Sequence, residues 1–280
     1  MAIYQLPFRH AFLIFIIFSV VGWISEVLYV GIFHEHKFVN RGFLHGPVCP
    51  VYGFGGVVIL ILPVSLYSTW IPLFFSSMVM CTLVEYFVSW IMERMFHARW
   101  WDYSNYKFNI NGRICLLNSV LFGFMGLGVI HFVYPQILNF LNWLGDVVIQ
   151  VSSDVIGVVL TVDLLVTIRK LVDFSATMEK IKTFSESLRD HYGSEAWFHG
   201  ESFEAMLASV KEHAASGKDM ISQSVLEKVE KFQTARNRAA ESFMAHFPTM
   251  KSIQYKDELE HLKNRLKTKV KEHVKARLRK

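Results

Sequence analysis

Three groups of residues in this chain have the types and spacings that chemistry requires. The first is Glu85, Ser89 and Glu93, at intervals of four, with Arg94 beside the last. Residues four apart share one helix face, so two carboxylates and a hydroxyl line one edge. The second runs from Arg99 through Trp100, Trp101, Asp102, Tyr103 and Ser104 to Asn109, Asn111, Gly112 and Arg113, with Asn118 soon after. Arginine is the residue type that grips carboxylate or phosphate with a two-pronged fork. The third is Gly46-Pro47-Val48-Cys49-Pro50-Val51-Tyr52-Gly53, followed by Gly55-Gly56. Proline suits the first turn of a helix, where its missing N–H would be unpaired in any case. Glycines let a second helix or a ligand approach the backbone, and a helix N-terminus facing a protein-lined cavity attracts anions. No Gly-Lys-Ser/Thr follows, so this is not a phosphate loop. Each group also has a plain structural reading: a tightly packed helix start for the third, and polar glue between helices for the acids.

The elements that carry these residues follow from the charge distribution. Of 280 residues, 52% are apolar and 19% charged. Residues 1–168 hold 7 Lys/Arg and 8 Asp/Glu, while residues 169–280 hold 22 and 16. A charge-poor apolar block is therefore joined to a charge-rich one, which excludes a single water-soluble globule and disorder of the first block. Three cysteines, Cys49, Cys81 and Cys115, with no CxxC, exclude a disulfide-stapled secreted domain. A bilayer core needs about 20 apolar residues per helix. Spans are expected at 11–33, 48–67, 70–92, 114–134 (stopping at Pro135) and 147–168, the last carrying Asp154 and Asp163. The fold class expected is all-α: a polytopic bundle of about five transmembrane helices over residues 1–168, with a cytoplasmic helical tail over 169–280.

The loops orient the bundle. Lys37 and Arg41, then Arg94, Arg99, Lys107 and Arg113, then the tail all fall on one face of a five-span arrangement, and only Arg9 falls on the other. Positive-inside bias puts the N-terminus outside and the tail in the cytoplasm. Glu26 lies seven residues before Phe33 and Glu85 seven before Met92, so both acids are expected about 10 Å inside the cytoplasmic boundary. Intramembrane acids mark pathways or pair with other helices. The three groups are thus expected to converge on one polar pocket beneath the 93–113 loop, with Asp102 pairing one arginine and leaving another open to an anion. His34, His36, His45 and His97 lie near that face, but no Cys/His pairing has zinc-site spacing, and neither metal nor cofactor is expected.

In the tail, Leu171, Phe174, Met178, Ile181, Phe184 and Leu188 form a helical stripe, as do Val225, Val229 and Phe232, then Leu259, Leu262, Leu266 and Val270. Breaks are expected at 191–194, at Ser216-Gly217 and near Pro248. Lys263 to Lys280 holds nine Lys/Arg against Glu272 alone, either a solvated helical face or a surface for anionic lipid or RNA.

Gly46-Pro47-x-Cys49-Pro50-x-Tyr52-Gly53, Glu85-x-x-x-Ser89-Trp90-x-x-Glu93, Trp100-Trp101-Asp102-Tyr103-Ser104 and Asn111-Gly112-Arg113-x-Cys115-Leu116 occur in that order. In these motifs residues 10–165 resemble the bacterial family of ABC-transporter permeases, type IV. The resemblance implies a multi-pass plasma-membrane protein with a transport role. It also implies a separate nucleotide-binding subunit, because this chain has no ATPase motif. Three functions fit the residues: a permease component passing a small solute through a cavity open to the cytoplasm; a membrane enzyme acting on a lipid or polyprenyl phosphate; and a scaffold or sensor recruiting partners through its tail. The solute and the oligomeric state are left open.

Overall fold

The computed structural model describes residues 3–30, 42–96, 98–199, 203–216, 223–246 and 251–252, and it is almost entirely helical. Lys37, Arg41, His34, His36, His97, the Gly217 and Pro248 breaks, the Leu259–Val270 stripe and the basic run 263–280 lie outside the described residues. The chain divides into two units, the first ending at Ile168 and the second containing Arg169–His246.

The first unit contains α1 (Phe8–Val30), α2 (Pro50–Ile61), α3 (Trp70–Phe96), α4 (Leu116–Gly128), α5 (Tyr134–Leu144) and the first part of α6 (Asp146–Tyr192). Three helical stretches are long and apolar enough to cross a membrane: Phe8–Tyr29, Trp70–Phe96 and Leu116–Leu144. The second expected span is shorter than 48–67. α2 has 12 residues and stops at Leu62, whose ψ of 148° is extended. Pro63 is the cause, since its ring pushes the preceding residue out of the helical region.

Pro135 does not have that effect. The helix expected to stop there continues to Leu144 through a π-helical turn at Val129–Val133. A wider turn just before the proline takes up the carbonyl that would otherwise clash with its ring. Gly145, at φ 75°, then turns the chain directly into α6, a conformation that residues with a Cβ rarely adopt.

α3 shows which solvent the first unit is built for. Leu73, Ser77, Cys81, Glu85 and Ser89 are all buried at four-residue spacing, while Phe75, Val79, Leu83 and Phe87 are each more than half exposed. In water the polar side would face out. Here small and polar groups face the interior and phenyl and branched chains face outward, as a hydrocarbon surround requires. α6 continues the pattern, with Val147, Val151, Val155, Val158, Val159, Val162 and Leu165 exposed along its first part.

Close helix approach depends on missing side chains. A Cβ at Gly22 would overlap the Tyr52 ring, one at Gly56 the Phe18 ring, and one at Gly53 both Ser19 and Phe15. α1 and α2 therefore pack across these glycines. Gly123 against Phe74 and Gly126 against Ser77 do the same for α4 and α3.

The second unit packs the C-terminal part of α6 with α7 (Phe203–Ser216) and α8 (Gln223–His246). Leu171, Phe174, Met178, Ile181 and Leu188 are buried, as are Met206, Leu207, Val210 and Val229. Phe184 stacks on Phe232 at 4.4 Å. α6 ends at Tyr192, and the Gly193 N–H caps it by donating to the Arg189 carbonyl at 2.8 Å.

Candidate functional site

The loop between α3 and α4 owes its shape to one tight hairpin. Asn109–Ile110 pairs antiparallel with Ile114–Cys115. Asn111 and Gly112 both have positive φ, 52° and 67°, which a turn of this hand requires at its two central residues. Asn109 braces it, its Oδ1 accepting from the Gly112 N–H at 3.0 Å. The hairpin then orients two further residues. The Tyr103 N–H donates to the Gly112 carbonyl at 2.8 Å, and the Trp101 indole donates to the Arg113 carbonyl at 2.9 Å. Asp102 closes a local turn, accepting from the Ser104 N–H and hydroxyl at 3.1 and 2.6 Å.

At the end of α3, Glu93 joins both arginines of this loop. Arg99 donates to it through Nε at 3.0 Å and Nη2 at 3.2 Å. Arg113 reaches it through Nε at 3.1 Å and Nη2 at 2.9 Å. The remaining nitrogen of Arg113, Nη1, donates to the Tyr86 hydroxyl at 3.1 Å, and its guanidinium lies 5.3 Å from the centre of that ring. Asn111 donates to the same hydroxyl at 3.2 Å. Glu93 engages both guanidinium groups, so Arg113 is not the open anion clamp that its position suggests. Arg94, the third arginine, is exposed.

Two turns earlier on the same face of α3, Glu85 is 7% exposed. Its Oε1 accepts from the Tyr103 hydroxyl at 3.0 Å and from Asn118 Nδ2 at 3.3 Å, and Asn118 also bonds the Tyr103 hydroxyl. Ser89, between Glu85 and Glu93, is buried. On the α1–α2 side, the Tyr52 hydroxyl donates to Glu26 at 2.6 Å. Burial raises the pKa of Tyr103 well above the usual phenol value, and the charge and hydrogen bond of Glu85, then Cys115 and Glu26, add to the rise.

The Gly46–Gly53 motif meets the same region. Cys49 is buried and hydrogen-bonds through its N–H to the Ser19 carbonyl at 3.0 Å, and Pro50 occupies the first turn of α2. Phe43 packs edge-on against Trp100, with ring centres 5.3 Å apart. The stretch just before Pro47 is tied to α6. Asp163 accepts the His45 N–H at 3.0 Å and the Gly46 N–H at 2.8 Å, while His45 Nδ1 lies 3.0 Å from Asp163 and 2.9 Å from Thr167 Oγ1.

Glu85, Asn118 and Tyr103 of the Arg99–Arg113 loop are therefore joined within the first unit, Ser89 lies between Glu85 and Glu93 on α3, and Glu26 and Tyr52 form a pair on the α1–α2 side. Arg94 is apart from them. Sequence reasoning missed Tyr86 and Asp163 as members, and it placed Tyr103 in the second group and His45 near the same face without giving either a role. Asp163 was visible only as a cost to membrane insertion. No curated protein and no solved structure matches the chain. Its apolar helices and its family agree that it is a membrane protein. Residues 13–168, more than half of the chain, match the family described as "Putative ABC-transporter type IV", and the chain belongs to that family.

Proposed function

We propose that the chain is a permease-type subunit that moves a small solute through the polar region around Glu26, Glu85 and Tyr103, with the opening on the cytoplasmic side. The observation that carries this reading is the reversed stripe on α3. A passive anchor would be at least as stable with leucine at position 85, because a carboxylate away from water costs several kcal/mol. A row of serine, cysteine, glutamate and serine kept inside, with a phenyl and valyl face outside, fits a route for polar cargo.

On this reading the chain crosses a bacterial plasma membrane about five times, with the 48–67 stretch that contains α2 and the first part of α6 as the additional crossings. The N-terminus lies outside and the second unit lies in the cytoplasm, where residues 263–280 meet anionic lipid. Support comes from the Lys/Arg count of the loops and from the contact of Asp163 with His45 and Gly46, which puts those residues at one level. Nucleotide hydrolysis belongs to a separate subunit, and the working assembly is an oligomer with it.

The test is purification of the full chain from its native membrane in mild detergent. Recovery of a nucleotide-binding ATPase whose turnover falls with both Glu26→Gln and Glu85→Gln supports the permease. Full function from the second unit alone, tethered to the membrane, refutes it in favour of a recruiting scaffold. Reporters fused after Lys280 and before Met1 should read cytoplasmic and external.

A further inference from the structure

We infer that Glu85 holds a cationic hydrogen-bond donor of the ammonium type, so that the cargo of the proposed permease is a cation; the second clause rests on the transport reading above. Glu85 is nine-tenths buried, and its two oxygens are treated unequally. Oε1 takes both available donors, Tyr103 and Asn118. Oε2 is buried and has no hydrogen-bond partner among the described residues. A carboxylate oxygen is an acceptor only, and protonating it merely creates a donor that also needs a partner. In either form this atom lacks one group, and native interiors rarely leave such an atom unsatisfied.

The surroundings select the charge of that group. The nearby arginines that could have paired with Glu85 are placed elsewhere: Arg99 and Arg113 on Glu93, and Arg94 at the surface. The groups that do stand close are uncharged: Tyr103 and Asn118 on Oε1, with Cys81 one turn back on the same buried stripe of α3. A buried carboxylate whose neighbours are a hydroxyl, an amide and a thiol makes a negative field that none of them cancels, in a medium that screens poorly. An anion is repelled there. A neutral donor satisfies the oxygen but not the field. An N–H donor with a positive charge satisfies both.

The experiment uses the full chain in lipid nanodiscs and radiolabelled methylammonium as probe. The expected result is saturable binding of one probe per chain, weakened at least tenfold by Glu85→Gln at an unchanged melting temperature. Tetramethylammonium, which has the charge but no N–H, should compete poorly, and phosphate not at all. Glu85→Asp keeps the charge but withdraws the oxygen by one methylene, and should bind several-fold more weakly than the parent. That variant keeps the test open if the glutamine protein fails to fold. Unchanged affinity in either variant overturns the inference, as does equal competition by tetramethylammonium or phosphate. Methylammonium binding without ATP-driven uptake in proteoliposomes supports the cation site and removes the permease reading. ATP-driven uptake of another solute with no methylammonium binding keeps the permease and removes the site.

Discussion

Glu93→Gln should destabilise the first unit by about 3 kcal/mol. Glu93 takes four contacts from two guanidinium groups, at 3.0 and 3.2 Å from Arg99 and at 3.1 and 2.9 Å from Arg113. A hydrogen bond to a charged group is worth roughly 1.5–3 kcal/mol net. The four contacts share one carboxylate and cannot be summed, and the three side chains are 13–22% exposed, so screening is partial. Oε2 takes three of the four contacts and Oε1 only that of Arg99 Nη2, so a glutamine oxygen at Oε2 turns the NH2 toward Arg99 Nη2, and both guanidinium groups lose the negative charge between them. One lost bond, one donor facing a cation and two cations without their counter-charge give a loss of about 2–4 kcal/mol. The assay is detergent unfolding of the purified chain, followed by tryptophan fluorescence, with Trp100 and Trp101 beside the affected loop. A double-mutant cycle with Arg113→Gln should show coupling above about 1 kcal/mol. A loss below about 0.5 kcal/mol, the value of an exposed pair, would refute the reasoning. The hairpin turn and the Trp101 bond to Arg113 would then hold the loop by themselves.

Other variants separate packing from polar contributions. Gly126→Ala should cost about 1–3 kcal/mol, since its Cβ overlaps Ser77, which is fully buried, whereas Gly128→Ala, with nothing within 4 Å, should be neutral or slightly stabilising in the same unfolding assay. Asp163→Asn keeps one acceptor oxygen and turns an NH2 donor toward the other of the His45 and Gly46 N–H groups, which should loosen the segment before α2; alkylation of the buried Cys49 by a permeant maleimide should accelerate about tenfold, corresponding to about 1.4 kcal/mol of local opening. Arg9→Gln should shift the unfolding midpoint by less than about 0.5 kcal/mol, because both partners of the Arg9–Asp154 pair are about half exposed.

The long apolar helices were legible from composition, because a bilayer imposes a length and a polarity that few other constraints mimic. The α3 face was legible in part. The spacing of Glu85, Ser89 and Glu93 placed them together, and the same spacing reaches back through Cys81, Ser77 and Leu73, which the structure buries as one stripe. Helix ends were less so. Pro63 and Pro135 look alike as letters, yet one ends α2 and the other is absorbed by a π turn. What differs is the surrounding packing, which no local pattern encodes. Pairing was least legible. Asp102 was the expected partner of one arginine from its position, and only the path of the hairpin decides that Glu93 reaches both Arg99 and Arg113.

The acids of α6 show why pairing escapes a linear reading. Taken alone, Asp154 and Asp163 weaken the case for a span, since each costs a few kcal/mol at a helix centre. In the fold each has its partner waiting on another segment. Asp154 meets Arg9 of α1 at 3.1 Å, and Asp163 takes two backbone N–H groups and the imidazole of His45. Nine residues separate the two acids, about 13 Å of helix, so they pin α6 to the rest of the first unit at two heights. Valines along the same helix face outward between and beyond them. A residue that is a penalty to an isolated helix becomes a fixed contact once the bundle supplies its counterpart. Glu85 obeys the same logic with one partner missing, which is why its second oxygen, and not the acids of α6, points to a ligand.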